Sequence, residues 1–391
     1  MPSEPVLIVG LSGRALAASA CRAGYLPIVL DAFDDLDTQA CTLASERVPI
    51  DDAWNFDEGR LLAAALRLAP PPVPLVWCSG FERTTGLLEK LARGRTLYGN
   101  DAATAARIKD PFAFAARMAE LGIAHPEVRR NPPGDPEGWL IKRVGGAGGA
   151  HIRPATVDAP AGEDEYYQRR VPGSPVSALV LGDGVRARAL SFSEQWADPA
   201  PYGGAFRFSG CAVPAILPSV ELGARLAGAA ETVAASYALR GIGSVDFVIE
   251  GDRFHLLEVN PRPGAALDSC ERVHGASLFE AHVRACQGDL GEPLPPPRRA
   301  AASAIVYARS QLIVPHGMDW PDWAADRGKD GTVIFPGDPV CTVFGEGIDA
   351  SEARRQALKR AEKMLAHLDR ATAASRVAWA TAREAMADAR P

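Results

Sequence analysis

The chain has 391 residues, of which 47 % are hydrophobic and 23 % charged, and its formal net charge is −6. This length predicts two or three packed units rather than one core, and the composition excludes the disordered, collagen-like and membrane classes. The acidic balance argues against a general nucleic-acid binder, which needs an excess of basic residues to neutralise phosphates.

Residues 1–99 alternate short apolar runs (6–9, 27–31, 75–78) with helix-like stretches (14–23, 84–92), the rhythm of an α/β unit with a parallel sheet and crossover helices. A new region begins at residue 100. There Asp101 can cap a helix ending near Lys109, and a second helix over 111–121 stops at Gly122. From 139 to about 289 the runs are shorter and richer in β-branched and aromatic residues, with one amphipathic helix near 220–239, which predicts a mostly antiparallel α+β architecture. A Pro-rich linker over 288–299 leads to β-like stretches at 304–314 and 332–344, a small appended β unit. Residues 351–387 have helical spacing and can pack on the body or on a second subunit.

No stretch approaches the roughly 20 apolar residues of a membrane helix, and the amino terminus does not read as a signal peptide. The 7 cysteines are scattered without CxxC spacing, so neither a zinc site nor a disulfide framework is expected. A reduced, cytoplasmic setting fits these features.

The segment GSVDFVIEGDRFHLLEVNPR, residues 243–262, reads as a strand, a turn at Gly251-Asp252 and a returning strand. Period-two alternation puts Glu258 and Asn260 on one face. Asp246 joins them if a three-residue Gly251-Asp252-Arg253 loop sets the register, whereas a two-residue loop turns it away. In the joining register two carboxylates and an amide oxygen converge among apolar neighbours, a set that a hard cation such as Mg2+ would relieve. A solvent-facing hairpin accounts for any one of these residues, but not for the set.

A second segment, WLIKRVGGAGGAHIR, carries Lys142 on an apolar strand followed by Gly145, Gly146, Gly148 and Gly149. Glycines let backbone N–H groups approach an anion closely, so this loop can fold over phosphates while Lys142 supplies a point charge. A flexible hairpin tip is the alternative reading. No Gly-Lys-Ser/Thr follows, so it is not a P-loop. Near the amino terminus, Gly10, Gly13 and Asp31 form a partial dinucleotide fingerprint in which Ser12 takes the place of the second glycine; a tight turn into a helix accounts for it, with NAD binding as the alternative reading.

Taken in this order, the three segments resemble the ATP-grasp superfamily over roughly residues 1–290. The resemblance implies a Rossmann-like amino-terminal domain (1–99), a first ATP-grasp lobe with the Gly-rich flap (100–165) and a second lobe with a metal-binding hairpin (166–290). The appended β unit and terminal helix (291–391) follow. It further implies that Lys109 and Lys142 reach the nucleotide phosphates and that Asp246, Glu258 and Asn260 hold Mg2+, with Mn2+ an alternative. Arg262 would steady the transferred phosphate, and Gln168 and Val171 would lie at adenine. Arg169 and Ser174-Pro175 stand where many members carry acids, which leaves the ribose contacts open. The Ser79-Gly80-Phe81-Glu82, LEVNPRPGAALD and PVCTVFGEG runs are similar to ATP-grasp proteins associated with tetrahydromethanopterin and methanofuran-type coenzyme synthesis in one-carbon metabolism.

The activity so implied is a carboxylate–amine ligase that forms an amide through an acyl phosphate, releasing ADP and phosphate. Glutamate is the first carboxylate to test. Arg207 is available for a substrate carboxylate and Tyr202 for an apolar or ring group, with a mobile surface loop as the alternative reading of residues 198–211. Partners beyond the two small molecules would be a second copy of the chain, with neither nucleic acid nor membrane. A small-molecule kinase on the same fold and a non-catalytic ATP-binding protein are the competing readings; the kinase would need one acceptor where the ligase needs two.

Overall fold

The computed structural model describes residues 4–197 and 204–388. Its amino-terminal unit is built on four parallel strands, Pro5–Val9 (β1), Leu26–Asp31 (β2), Ala44–Arg47 (β3) and Leu75–Trp77 (β4), in the order β3-β2-β1-β4. Helices Arg14–Arg22 (α1), Leu36–Cys41 (α2), Glu58–Leu68 (α3) and Thr85–Ala92 (α4) make the connections. The apolar runs are buried because both faces of the sheet are covered: Val6, Ile8 and Val29 pack towards α1, and Leu7, Val9, Leu30 and Trp77 towards α3 and α4. The carboxyl ends of β1 and β4 therefore open at one edge, where ligands of such sheets bind.

Two capped helices follow, Ala102–Lys109 (α5) and Pro111–Glu120 (α6). Asp101 accepts from the Thr104 N–H at 2.7 Å. Asp110 ends α5 and caps α6, accepting from the N–H groups of Phe112 and Ala113, with Pro111 in the first turn. This joint fixes Lys109 at the very end of α5.

The first lobe is an antiparallel sheet of Val128–Arg129 (β5), Trp139–Arg143 (β6), Arg153–Pro154 (β7) and Glu165–Arg169 (β8), ordered β5-β8-β6-β7. The second lobe holds Ser174–Asp183 (β9), Ala187–Ala197 (β10), Phe208–Val213 (β11), helix Val220–Ser236 (α7), and the hairpin Arg240–Glu250 (β12) and Arg253–Asn260 (β13). Helices Leu267–His274 (α8) and Leu278–Cys286 (α9) close it.

The strands beyond the Pro-rich segment do not form a free-standing unit. Ala300–Tyr307 (β14) pairs with β11, so the sheet runs on through Pro339–Gly347 (β18) to Ala324–Ala325 (β16), eight strands in the order β13-β12-β9-β10-β11-β14-β18-β16. Leu312–Ile313 (β15) and Val333–Ile334 (β17) form a small ribbon beside it. The terminal helix, Ala350–Asp388 (α10), lays Ala353, Ala357, Met364, Leu365 and Leu368 on the core that β14 and β18 share. Gly345 allows the close approach, since a Cβ there would lie 2.2 Å from the Ala353 carbonyl.

Asn100 ties the amino-terminal unit to the second lobe. Its side chain donates to the carbonyls of Pro261 (2.8 Å) and Arg240 (3.1 Å) and accepts from the Arg240 N–H (2.9 Å). Trp77 Nε1 in turn donates to the Asn100 carbonyl at 2.8 Å. The open edge of the parallel sheet is thus held against the end of β13, where the charged residues gather.

Candidate active site

The β12–β13 hairpin turns through two residues, with Glu250 opposite Arg253 and Gly251 in the left-handed region at φ 57°. By alternation alone this two-residue turn would face Asp246 away from Glu258. The ladder slips by one residue between Asp246 and Phe247, leaving Leu257 as a bulge, so that Asp246 nevertheless stands opposite Glu258 and Ser244 opposite Asn260. The expected face is reached through a bulge rather than the expected three-residue loop. The same slip puts His255 opposite Val248, on the face of Glu258 rather than the opposite face that simple alternation gives.

On that face Asp246 Oδ1 accepts from Ser177 Oγ at 2.5 Å and Oδ2 from Asn260 Nδ2 at 3.0 Å. Lys109 Nζ donates to Asn260 Oδ1 at 2.8 Å and to Glu258 Oε2 at 3.3 Å. Its ammonium stands among the oxygens, as a cation should in this donor set. Burial alone would raise both carboxyl pKa values, but Lys109 and Lys142 pull Glu258 down to about 2. Asp246, half-buried and facing the Glu258 charge, is pushed up to about 6 by desolvation and then by that charge. Of the two carboxyl groups, Asp246 is the one that takes up a proton first as the pH falls. Glu258 keeps 40 % of its side-chain surface open to the cleft, whereas Lys109 is buried. Two opposed carboxylates, one open and the other reluctant to ionise, fit a divalent cation that would compensate both.

Arg262 follows β13. Its Nε donates to Glu82 Oε1 at 2.8 Å in a buried pair, the side chains 10 % and 2 % exposed. Glu82 Oε2 also accepts from the N–H groups of Gly80 (2.8 Å) and Phe81 (3.1 Å). Burial opposes ionisation of Glu82, but Arg262 and then Lys109 hold its pKa below the usual range. Glu82 is thus a positioning residue that the sequence does not assign. Its place in a Ser-Gly-Phe-Glu turn just past β4, at the ligand end of a parallel strand, was the available signal.

Lys142 is buried on β6 opposite Tyr166, and burial lowers its pKa against the pull of Glu258. The glycine loop after β6 is docked. A Cβ on Gly145 would lie 2.6 Å from the Glu82 carbonyl, and one on Gly149 would lie 2.0 Å from the Phe206 carbonyl. The Gly148 carbonyl accepts from the Phe208 N–H at 2.9 Å. A Cβ on Gly146 would strike the His151 ring, and that ring, kept neutral by burial with its pKa near 4, lies close enough to influence Glu258. The loop bridges Glu82 on one side and the start of β11 on the other.

Gln168 is buried at the centre of the first-lobe sheet, between Leu140 and Val128, and Val171 lies just past the end of that strand. Arg169 turns outward: its guanidinium lies over the Trp139 ring and donates to the Glu137 carbonyl at 3.0 Å. Pro175 lies within β9 opposite Val248. Tyr202 falls outside the described residues. Arg207 is buried beside the docked loop.

Asp31 shows why the amino-terminal glycine turn is not a nucleotide fingerprint. Its carboxylate accepts from the N–H groups of Gly13 (2.9 Å), Phe33 (3.0 Å) and Asp34 (2.7 Å), all within its own unit. Gly10 and Gly13 are demanded by packing, since a Cβ would lie 2.5 Å from Cys78 Cβ in the first case and 2.6 Å from Val29 in the second.

Residues 108–266, the span that holds Lys109, Lys142 and the β12–β13 hairpin, match the model of the ATP-grasp domain. Over 143 residues it is 33 % identical to the formate-dependent phosphoribosylglycinamide formyltransferase of Chlorobaculum tepidum, covering 33 % of this chain and 35 % of that protein. A Methanocaldococcus jannaschii protein, itself uncharacterized, is 20 % identical over 312 residues, covering 75 % of this chain and 74 % of its own length. Among solved structures, the biotin carboxylase domain of the Hydrogenobacter thermophilus 2-oxoglutarate carboxylase, a dimer with MgADP and bicarbonate, superposes with a TM-score of 0.70. That likeness, at 13 % identity over 91 % of this chain and 89 % of the other, is one of fold. The chain spans 38 % of the length of a multi-domain long-chain acyl-CoA carboxylase and 37 % of that of the Rhizobium etli pyruvate carboxylase. Among the described residues no helix is long and apolar enough to cross a membrane.

Proposed function

We propose that this chain is a carboxylate–amine ligase that phosphorylates a carboxylate with ATP and passes the acyl group to an amine. The observation that carries the reading is the meeting of Lys109, Lys142 and Arg262, from three separate segments, around Asp246, Glu258 and Asn260. A carboxylate oxygen is a poor leaving group; transfer of the terminal phosphoryl group to it gives an acyl phosphate and ADP. The amine nitrogen then attacks the acyl carbon, forms the C–N bond, expels inorganic phosphate and loses a proton.

In this reading Asp246, Glu258 and Asn260 hold Mg2+, which when bound neutralises phosphate charge. Lys109 and Lys142 place positive charge along the nucleotide phosphates, and Gln168 and Val171 border the adenine. Arg262, held by Glu82 through Nε, offers its terminal N–H groups to the transferred phosphoryl oxygens. Such fixed donors help most where charge develops during the reaction. The Gly145–Gly149 loop, docked on Glu82 and Phe208, keeps water from the acyl phosphate.

The carboxylate we favour is glutamate, joined to an amine in one-carbon coenzyme synthesis, which rests on the Ser79–Glu82 turn and the sequence around Arg262. ADP release measured over a panel of amino acids and amines, with mass detection of the amide, tests the reading. Release that requires both a carboxylate and an amine is expected. Release that needs one acceptor and yields a stable phosphorylated product would replace the ligase with a kinase.

A further inference from the structure

Arg207 immediately precedes β11, beside the docked glycine loop. Its surroundings come from the carboxyl-terminal strands, to which the proposed chemistry assigns no role. Nη1 donates to the Gly337 carbonyl at 2.7 Å. The guanidinium carbon lies 3.6 Å above the centre of the Tyr307 ring, and Tyr307 in turn donates its hydroxyl to the Phe208 carbonyl at 2.8 Å. Arg207 is only 8 % exposed, and its Nε and Nη2 are buried without a hydrogen-bond partner among the described residues.

These two atoms are not a random pair. In a planar guanidinium Nε–H and the outer Nη2–H point the same way and form the fork that grips a carboxylate with two parallel hydrogen bonds. Leaving both donors of a buried cation unmade is costly. Gly337 holds the other edge and Tyr307 one face, so the free fork has one orientation. Arg143 Nε is also unpaired, but Asp164 lies 3.7 Å away; Arg207 has no such acid within reach among the described residues. Nor does Arg207 belong to the metal cluster: its guanidinium donates to the Gly337 carbonyl, whereas Glu258 and Asn260 are held by Lys109.

We infer that the Nε–Nη2 edge of Arg207 is a recognition site for a substrate carboxylate that is not itself phosphorylated, held rigid by Tyr307 and Gly337. The organic substrate is therefore a dicarboxylic acid or an amino acid with a second carboxylate, and the carboxyl-terminal strands select it. This inference rests on the ligase reading for the identity of the reacting end, but not for the binding at Arg207.

The test uses the full chain and four probes: succinate, glutarate, L-aspartate and L-glutamate. One arm follows thermal stabilisation by each probe, without turnover. The other follows hydroxamate formed from probe, Mg-ATP and hydroxylamine, in which the hydroxylamine nitrogen displaces phosphate from an acyl phosphate. At least one probe should stabilise the wild type, and Arg207→Gln should raise its half-saturating concentration about thirtyfold, the scale of one lost charge-assisted pair. ATP affinity should be unchanged. Arg207→Lys should recover part of the loss, which a purely structural role would not show, and its melting curve controls for folding.

Hydroxamate formation with equal probe KM in wild type and Arg207→Gln would overturn the Arg207 assignment and leave the ligase standing. Probe binding lost in Arg207→Gln without hydroxamate from any probe would overturn the ligase and leave Arg207 standing. No stabilisation by any of the four probes, or binding of inorganic phosphate at Arg207 more tightly than any of them, would overturn the carboxylate site.

Discussion

Two places in this molecule put an acid at a strand end beside a glycine turn: Asp31 at the end of β2 and Glu258 near the end of β13. Asp31 is saturated by the N–H groups of Gly13, Phe33 and Asp34, and its neighbouring glycines are needed to pack Cys78 and Val29. Glu258 faces Lys109 and Lys142 and keeps much of its side chain open to the cleft. An acid consumed by its own backbone is architecture, whereas one balanced by side-chain cations and left open is chemistry. The difference lies in the partners, which a local motif does not display.

The largest effect should come from breaking the open acid. Glu258→Ala is expected to lower turnover by at least about a hundredfold, the scale of losing a charge-stabilising group at a reacting centre, measured as ADP release. The matching change Asp31→Asn should leave the ATP KM unchanged and show in the melting temperature. Near wild-type rates in Glu258→Ala would erase the contrast between the two acids.

Next in size is Glu82→Gln, which strips a buried Arg262 of its ion partner. A loss of about 3 kcal/mol in denaturant unfolding is expected, because a buried charge left unpaired is expensive. Turnover should fall further than ATP affinity, since Arg262 would keep its charge but lose its aim.

The raised pKa of Asp246 gives a third test, in the metal-free protein. Its pKa of about 6 lies above the ordinary 3.8. Such a group binds protons more tightly folded than unfolded, so its contribution to stability is full below about pH 4 and is lost as the pH rises through about 6. Asp246→Asn should therefore be more stable than wild type at pH 8, by on the order of 1–3 kcal/mol, while losing Mg-ATP turnover. Equal stability of the two proteins across pH 4–8 would mean that Asp246 is not a strained acid. The smallest effect is expected at Arg169→Ala, where losing the contact with Trp139 costs roughly 0.5–1 kcal/mol and turnover stays within about twofold.

The sequence made the architecture legible wherever local rules decide it. The parallel sheet, the cap at Asp101 and the shared face of Glu258 and Asn260 all follow from period and capping. The bulge at Leu257 was not legible, because a register slip depends on how β9 and β13 flank β12, and the turn alone pointed to the other face. Glu82 and Arg262 lie 180 residues apart in sequence, and no spacing rule connects them. The joining of β14 to β11 across the Pro-rich segment was hidden in the same way: a linker's composition says that the chain leaves one strand, not which sheet the next one enters. Arg207 was visible as a charge in a glycine-rich loop, but its ordered edge depends on Tyr307 and Gly337, which only the fold brings near.

The central claim is that the β12–β13 face holds a divalent cation with the nucleotide. Electron paramagnetic resonance of Mn2+ added to the protein with ATP tests it most directly. The wild type is expected to bind the ion in an ATP-dependent way, and Glu258→Gln and Asp246→Asn should each weaken that binding by an order of magnitude or more. ATP-dependent Mn2+ binding of wild-type strength in a variant carrying both changes would contradict the claim.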